Sequence, residues 1–197
     1  MTATEAPSAQ SSEQVKPRAL KRLLDELTAL DAAISTAVTT TPSPTVDVVL
    51  GRVSNAADHS KLWLTTAGAL SLAGPRSRRT AVKGLAAVGV TSALVNLGIK
   101  PMLRRARPPR DATLPHPVLM PRSHAFPSGH AASAFAFASA VGGEMPGLAS
   151  PLRLMATTVA YSRVHAGVHY GGDVVVGALI GSGVGTLTRQ VANRRAR

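Results

Sequence analysis

Cysteine is absent from the 197 residues, so neither a disulfide framework nor a thiolate metal site is available. Aromatic side chains are scarce. One Trp, two Tyr and three Phe leave little to stack on nucleic-acid bases, and a nucleic-acid partner is not expected. Acidic residues number ten against 22 lysines and arginines, a formal net charge of +12. No apolar run follows the first basic residues, so no secretory signal peptide is expected. No segment alternates with period two and no internal repeat is evident, which turns the reading away from strands and solenoids.

What is present is basic charge beside apolar stretches. Arg76, Arg78 and Arg79 precede one such stretch, the run "KPMLRRARPPR" follows it, and "RQVANRRAR" lies near the end. Charge in that position fits a membrane protein or an anionic substrate better than a nucleic-acid reader. The length suits one domain. Residues 1–16 hold almost nothing to bury and are expected to form a disordered tail. Residues 17–41 read as an amphipathic helix and linker. Leu20, Leu23, Leu24, Leu27, Leu30, Ile34 and Val38 recur at three and four, with Lys21, Arg22, Asp25, Glu26 and Asp31 opposite. Such a helix lies on a membrane surface or against the rest of the chain. Residues 42–190 then form a helical bundle, and 191–197 a basic tail.

Within the bundle five apolar segments fall at roughly 62–75, 80–99, 129–143, 149–162 and 172–188, all rich in small residues that let membrane helices pack closely. The expectation is an all-α antiparallel bundle with about five transmembrane helices. A bilayer core of about 30 Å needs about 20 helical residues, and only the second segment reaches that comfortably.

Three clusters border these segments: Lys100 with Arg107 and Pro108; "PSGH" from Pro127 to His130; and "SRVHAGVHYGGD" from Ser162 to Asp173. Antiparallel helices would bring all three to one end of the bundle. Lys100, Arg107 and Arg163 offer three cations there, with guanidinium forks that match phosphate oxygens. Ser128 and Gly129 at a helix N-terminus favour an anion. His169 and Asp173 lie one helical turn apart, so the carboxylate can orient the ring and leave one nitrogen free to attack, with His130 free for acid work. His165 and His169 also have the spacing of a helical zinc pair, with Asp173 as a third ligand, but Ala166 replaces the Glu that the peptidase version needs.

Together the clusters resemble the signature of the type 2 phosphatidic acid phosphatase superfamily: Lys, six residues, Arg-Pro; Pro-Ser-Gly-His; Ser-Arg, five residues, His, three residues, Asp. Every signature position is filled between residues 100 and 173. The resemblance implies that His169 attacks phosphorus to form a phosphohistidine while Asp173 orients it. His130 would protonate the leaving alkoxide. Lys100, Arg107, Ser128, Gly129 and Arg163 would hold the phosphoryl oxygens, with no metal or other cofactor.

Simpler roles apply elsewhere. Arg104, Arg105, Arg110 and Arg122 read as solvated flanks, His165 as pocket mouth or local packing, and His59 and His116 have no partner pattern. His124 is a candidate for the rim. Ser128 and Asp173 can also serve as helix caps. Apolar helices without a signal favour an integral membrane lipid phosphatase, acting on an acyl or polyprenyl phosphate or diphosphate. A vanadate-dependent haloperoxidase, a soluble acid phosphatase and a non-catalytic membrane scaffold are the rivals. Charge near the N-terminus puts the catalytic end in the cytoplasm, whereas the arginines at the opposite end turn it outward; the second cue is preferred.

Overall fold

The computed structural model describes residues 11–40, 43–110 and 118–195. Residues 1–10 of the expected tail, residues 196–197 of the basic tail and His116 lie outside the described residues. Among those described there are seven helices and no strand, in keeping with the expected all-α bundle. They are α1 (Ser11–Thr39), α2 (Pro44–Ala56), α3 (Lys61–Leu72), α4 (Pro75–Met102), α5 (Gly129–Glu144), α6 (Ala149–His165) and α7 (Gly171–Arg195). Helix α1 begins at Ser11, inside the segment expected to be tail. Helix α2 is an element that the apolar segments did not announce.

Local chemistry sets several boundaries. Pro44 and Pro75 open α2 and α4, where a missing N–H costs nothing and φ is already helical. The turn Asp58–Ser60 joins α2 to α3 with two non-glycine residues in the left-handed region, His59 at φ 53° and Ser60 at φ 59°. Such residues cost about 1–3 kcal/mol each and persist where the surroundings hold them. Near its end α4 widens into a π-helical turn over Leu94–Ile99 before closing at Lys100.

Helix α5 is the centre of the bundle. Ala131, Ala132, Ala134, Ala136, Phe137, Ala138, Ala140 and Val141 are all buried, and Phe137 meets Trp63 of α3 with ring centroids 5.3 Å apart. Helix α7 lies against α5 through Gly177, Gly181 and Gly185, one per turn. A Cβ at those positions would fall 2.5, 2.0 and 2.3 Å from the carbonyl oxygens of Ser128, Ala132 and Ala136. The seam is a backbone-to-backbone approach that only glycine allows, the small-residue packing used where helices have no hydrophobic drive to associate. It also fixes the start of α7 beside the start of α5, where two of the three sequence clusters sit.

Among the described residues two helices, α4 and α7, are long and apolar enough to cross a membrane. In their most apolar stretches only 28 % and 22 % of residues are buried, so the apolar side chains point outward, unlike those of a soluble core helix. Leu97 and Leu179 are 80 % and 68 % exposed. On α1 the stripe from Leu20 to Ile34 is likewise exposed, while Asp31 and Ser35 reach the other way, to the amides of Gly172 and Gly171 at the start of α7.

Candidate active site

The site is assembled where α4 and α6 end and α5 and α7 begin. Ser128 caps α5, its Oγ accepting from Ala131 N, and its own amide donates to the Asp173 carbonyl at 2.9 Å. Asp173 is fully buried in the first turn of α7, where Oδ2 accepts from Tyr170 N at 3.0 Å. The same oxygen stands 3.5 Å from His169 Nδ1, a long approach that is the closest partner this nitrogen has. Asp173 therefore caps the start of α7 and faces the His169 ring at once. His169 sits in the turn between α6 and α7, its amide donating to the Arg163 carbonyl at 3.2 Å. Its Nε2 stands 3.2 Å from Arg107 Nη1.

Arg107 is tied down on all sides. It donates to the carbonyls of Ser123 at 2.9 Å, Val168 at 2.5 Å and His124 at 3.3 Å. Lys100 is buried at the end of α4, with Nζ 3.4 Å from Ser123 Oγ. Arg163 is 1 % exposed; Nη1 donates to Ser54 of α2 and lies 3.9 Å from Asp58, while Nε has no partner among the described residues. His130 Nε2 pairs with Asp58 Oδ1 at 2.8 Å. The left-handed turn thus delivers a carboxylate to an imidazole in the first turn of α5.

These residues surround a cavity of about 260 Å³. Lys100, Arg107, Gly129, His130 and His169 line it, whereas Ser128, Arg163 and Asp173 stand buried behind the lining. Burial is the main influence on the His169 ring. Asp173 works against it, the charges of Arg107 and Arg163 reinforce it, and the pKa falls to about 4. Asp58 is held below the usual carboxylate range by its hydrogen bond with His130, against the cost of its own burial.

Several simple readings fail. Arg105 is no solvated flank: Nη1 and Nη2 donate to Asp173 Oδ1 and Asp31 Oδ2, both at 2.8 Å, and its guanidinium lies 4.2 Å from the centroid of the Tyr170 ring. Burial disfavours the charge, but the Asp31 hydrogen bond and the Asp173 carboxylate outweigh it and raise the pKa. Arg110 donates to the carbonyls of Val118, Ala166 and Gly167 and so clamps the loop that carries His169. Arg104 and Arg122 stay exposed. His165 has a partner after all, Asp47 of α2 at 2.6 Å, so the two histidines of the HxxxH spacing turn to different carboxylates. His59 lines the cavity, and His124 reaches the site only through its carbonyl. Sequence reasoning missed Asp31, Ser54 and Asp58. Among ten acids in a chain of net charge +12, an aspartate beside an apolar helix is itself a signal.

The sequence model of the PAP2 superfamily matches residues 80–197. The chain belongs to that superfamily. The match takes in all three clusters and begins after Asp31, Ser54 and Asp58, so those partners come from outside the matched segment. Decaprenylphosphoryl-5-phosphoribose phosphatase of Mycobacterium tuberculosis is 37% identical over 145 residues, 74% of this chain and 80% of the relative. The Mycolicibacterium smegmatis protein of that name is 36% identical over 127 residues, 64% of this chain and 67% of the relative. Two solved structures share the fold at 24% identity. The transmembrane PAP2 type phosphatidylglycerolphosphate phosphatase from Bacillus subtilis has a TM-score of 0.68 over 86% of this chain and 87% of its own. Aquifex aeolicus LpxE has a TM-score of 0.64 over 80% of this chain and 93% of its own. This PAP2 protein is a phosphoric monoester hydrolase.

Proposed function

We propose that this PAP2 protein is an integral membrane phosphatase that removes a phosphomonoester from a lipid-linked headgroup through a phosphohistidine at His169. The observation that carries the reading is His169 itself, in the cavity lining with Nδ1 toward a buried carboxylate and Nε2 beside a guanidinium. In the first step Nε2 attacks phosphorus and the bond to the leaving oxygen breaks. His130 gives that oxygen a proton, and Asp58 supports the charged imidazole. In the second step water attacks phosphorus, the P–N bond breaks, and His130 takes the water's proton. Phosphate leaves and His169 is neutral again. Lys100, Arg107 and Arg163 supply positive charge where the phosphoryl oxygens gather charge, together with the α5 amides that Ser128 and Gly129 bring to the site. Turnover is independent of metal.

The lipid is a polyprenyl phosphate ester, a choice supported by the two decaprenylphosphoryl-5-phosphoribose phosphatases. Helices α3 to α7 are embedded, which the outward apolar surface of α4 and α7 supports. The catalytic end faces outward, since Arg76, Arg78, Arg79, Arg194 and Arg195 at the other end are exposed. The test is phosphate release from polyprenyl phosphate in detergent or vesicles containing EDTA. Release by the native protein and none by His169→Ala is expected; full activity in that variant, or complete loss in EDTA, overturns the mechanism.

A further inference from the structure

None of the cavity lining comes from α2, yet that helix meets the catalytic end twice. Ser54, fully buried in its last turn, accepts from Arg163 Nη1, and Asp47, in its first turn, meets His165 Nε2 at 2.6 Å. We propose that Ser54 is a positioning residue for Arg163, and that the Asp47–His165 pair is the latch that keeps α2 where Ser54 can reach it. The proposal rests on the phosphatase reading and extends it to a helix that lies before the segment matched by the superfamily.

The sequence of α2 builds one face for this task. Asp47, Leu50, Gly51 and Ser54 recur at three and four, and Leu50, Gly51 and Ser54 are buried. Asp47 and Ser54 stand two turns apart, about 10 Å along the axis. Their partners Arg163 and His165 both belong to the last turn of α6. Two contacts that far apart fix the height of α2 and its rotation about its own axis; either one alone would let the helix roll.

His165 is suited to fastening and to little else. Its Nε2 faces a carboxylate oxygen, so in the neutral ring the proton sits there, and the buried Nδ1 has no partner among the described residues. A ring with one partner cannot relay a proton. Neither His165 nor Asp47 lines the cavity, so the pair acts on substrate only through other residues.

At the Ser54 end the contact bears on the chemistry. Arg163 Nη1 lies 3.9 Å from Asp58 Oδ1, the same oxygen that His130 Nε2 meets at 2.8 Å. The Ser54 hydroxyl engages Nη1 and holds the guanidinium short of that carboxylate. Without it Nη1 would be buried and unpaired, with Asp58 within reach as a replacement. Arg163 would then close on Asp58, diverting charge from the phosphoryl oxygens and drawing Asp58 away from His130. One buried hydroxyl keeps two members of the site apart.

The test measures phosphate release from a prenyl monophosphate in mixed micelles, with thermal unfolding of each variant alongside. Ser54→Ala should lower kcat about tenfold with a smaller change in KM. Inhibition by orthovanadate, a five-coordinate mimic of the transferring phosphoryl group, should weaken about as much, while inhibition by inorganic phosphate changes less. Asp47→Asn keeps the shape of the latch and removes its charge; it should lower kcat severalfold, and it keeps the test alive if Ser54→Ala does not fold. In the double variant the losses should not multiply: kcat should match that of Ser54→Ala within about twofold, because the latch acts through the hydroxyl. Losses that multiply, or a lowered melting temperature at unchanged kcat in either single variant, overturn the proposal and leave α2 a strut. No release by the native protein removes the phosphatase reading itself.

Discussion

At His169 burial and two nearby arginines oppose a carboxylate, and the ring's pKa settles at about 4. The sign matters for catalysis. In the proposed mechanism attack needs the neutral ring, and a lowered pKa keeps it neutral from physiological pH down to about 4. The acid limb of a kcat/KM profile should then fall near pH 4 instead of near 6.5; a limb near 6.5 in a folded protein refutes this account of the ring. Asp31 is a positioning residue on the same centre, two links away. It holds Arg105 at 2.8 Å, and Arg105 holds Asp173 at 2.8 Å. Asp31→Asn removes a charged hydrogen bond, about 1.5–3 kcal/mol. It should lower kcat by about tenfold or more with a smaller change in KM, and Asp31→Glu should recover part of the loss. A fall in folded yield at unchanged kcat would mean that Asp31 only ties α1 to α7. The His169–Asp173 pair was legible in the sequence because both residues lie within one turn of chain. Asp31, Asp47 and Asp58 were not, because each meets its partner across more than 70 residues.

Among the elements, the apolar segments gave α3 to α7 because those helices bury or expose hydrophobic residues nearly all round. Helix α2 escaped because its sequence mixes Val48, Val49, Leu50 and Val53 with Asp47, Arg52 and Asn55, and its polar members are spent on tertiary partners. Ser54 and Asp47, one on each end, bind Arg163 and His165 of α6. The glycines of α7 were legible as small residues but not as a register. Gly181 sets that register, since an added Cβ would lie 2.0 Å from the Ala132 carbonyl oxygen. Backbone cannot yield as a flexible side chain can, so Gly181→Ala should push α7 off α5 and destabilise the fold by about 1–3 kcal/mol. Because Ser128 N bonds the Asp173 carbonyl at the head of that seam, activity should fall too. Gly183→Ala is the control: nothing lies within 4 Å of its added Cβ, and it should leave both the melting temperature and the rate unaltered. Equal melting temperatures for the two variants would refute the seam.

For the whole molecule, orientation decides which substrate pool the cavity can sample. Of the catalytic-end arginines Arg104 and Arg122 are exposed, but four are occupied inside the fold: Arg105 with two carboxylates, Arg107 and Arg110 with carbonyls, Arg163 in the core. Arg76, Arg78, Arg79, Arg194 and Arg195 at the far end remain exposed and suit the cytoplasmic face. The absence of cysteine makes this directly testable, because a single introduced thiol is the only one in the chain. Leu119, in the loop before α5 at the catalytic end, and Leu72, at the far end of α3, are each 90 % exposed. In intact cells a membrane-impermeant maleimide should label Leu119→Cys and spare Leu72→Cys, and permeabilisation should expose the second. The reverse pattern would place the catalytic end in the cytoplasm. It would leave the chemistry proposed at His169 untouched and move the proposed lipid substrate to the inner leaflet.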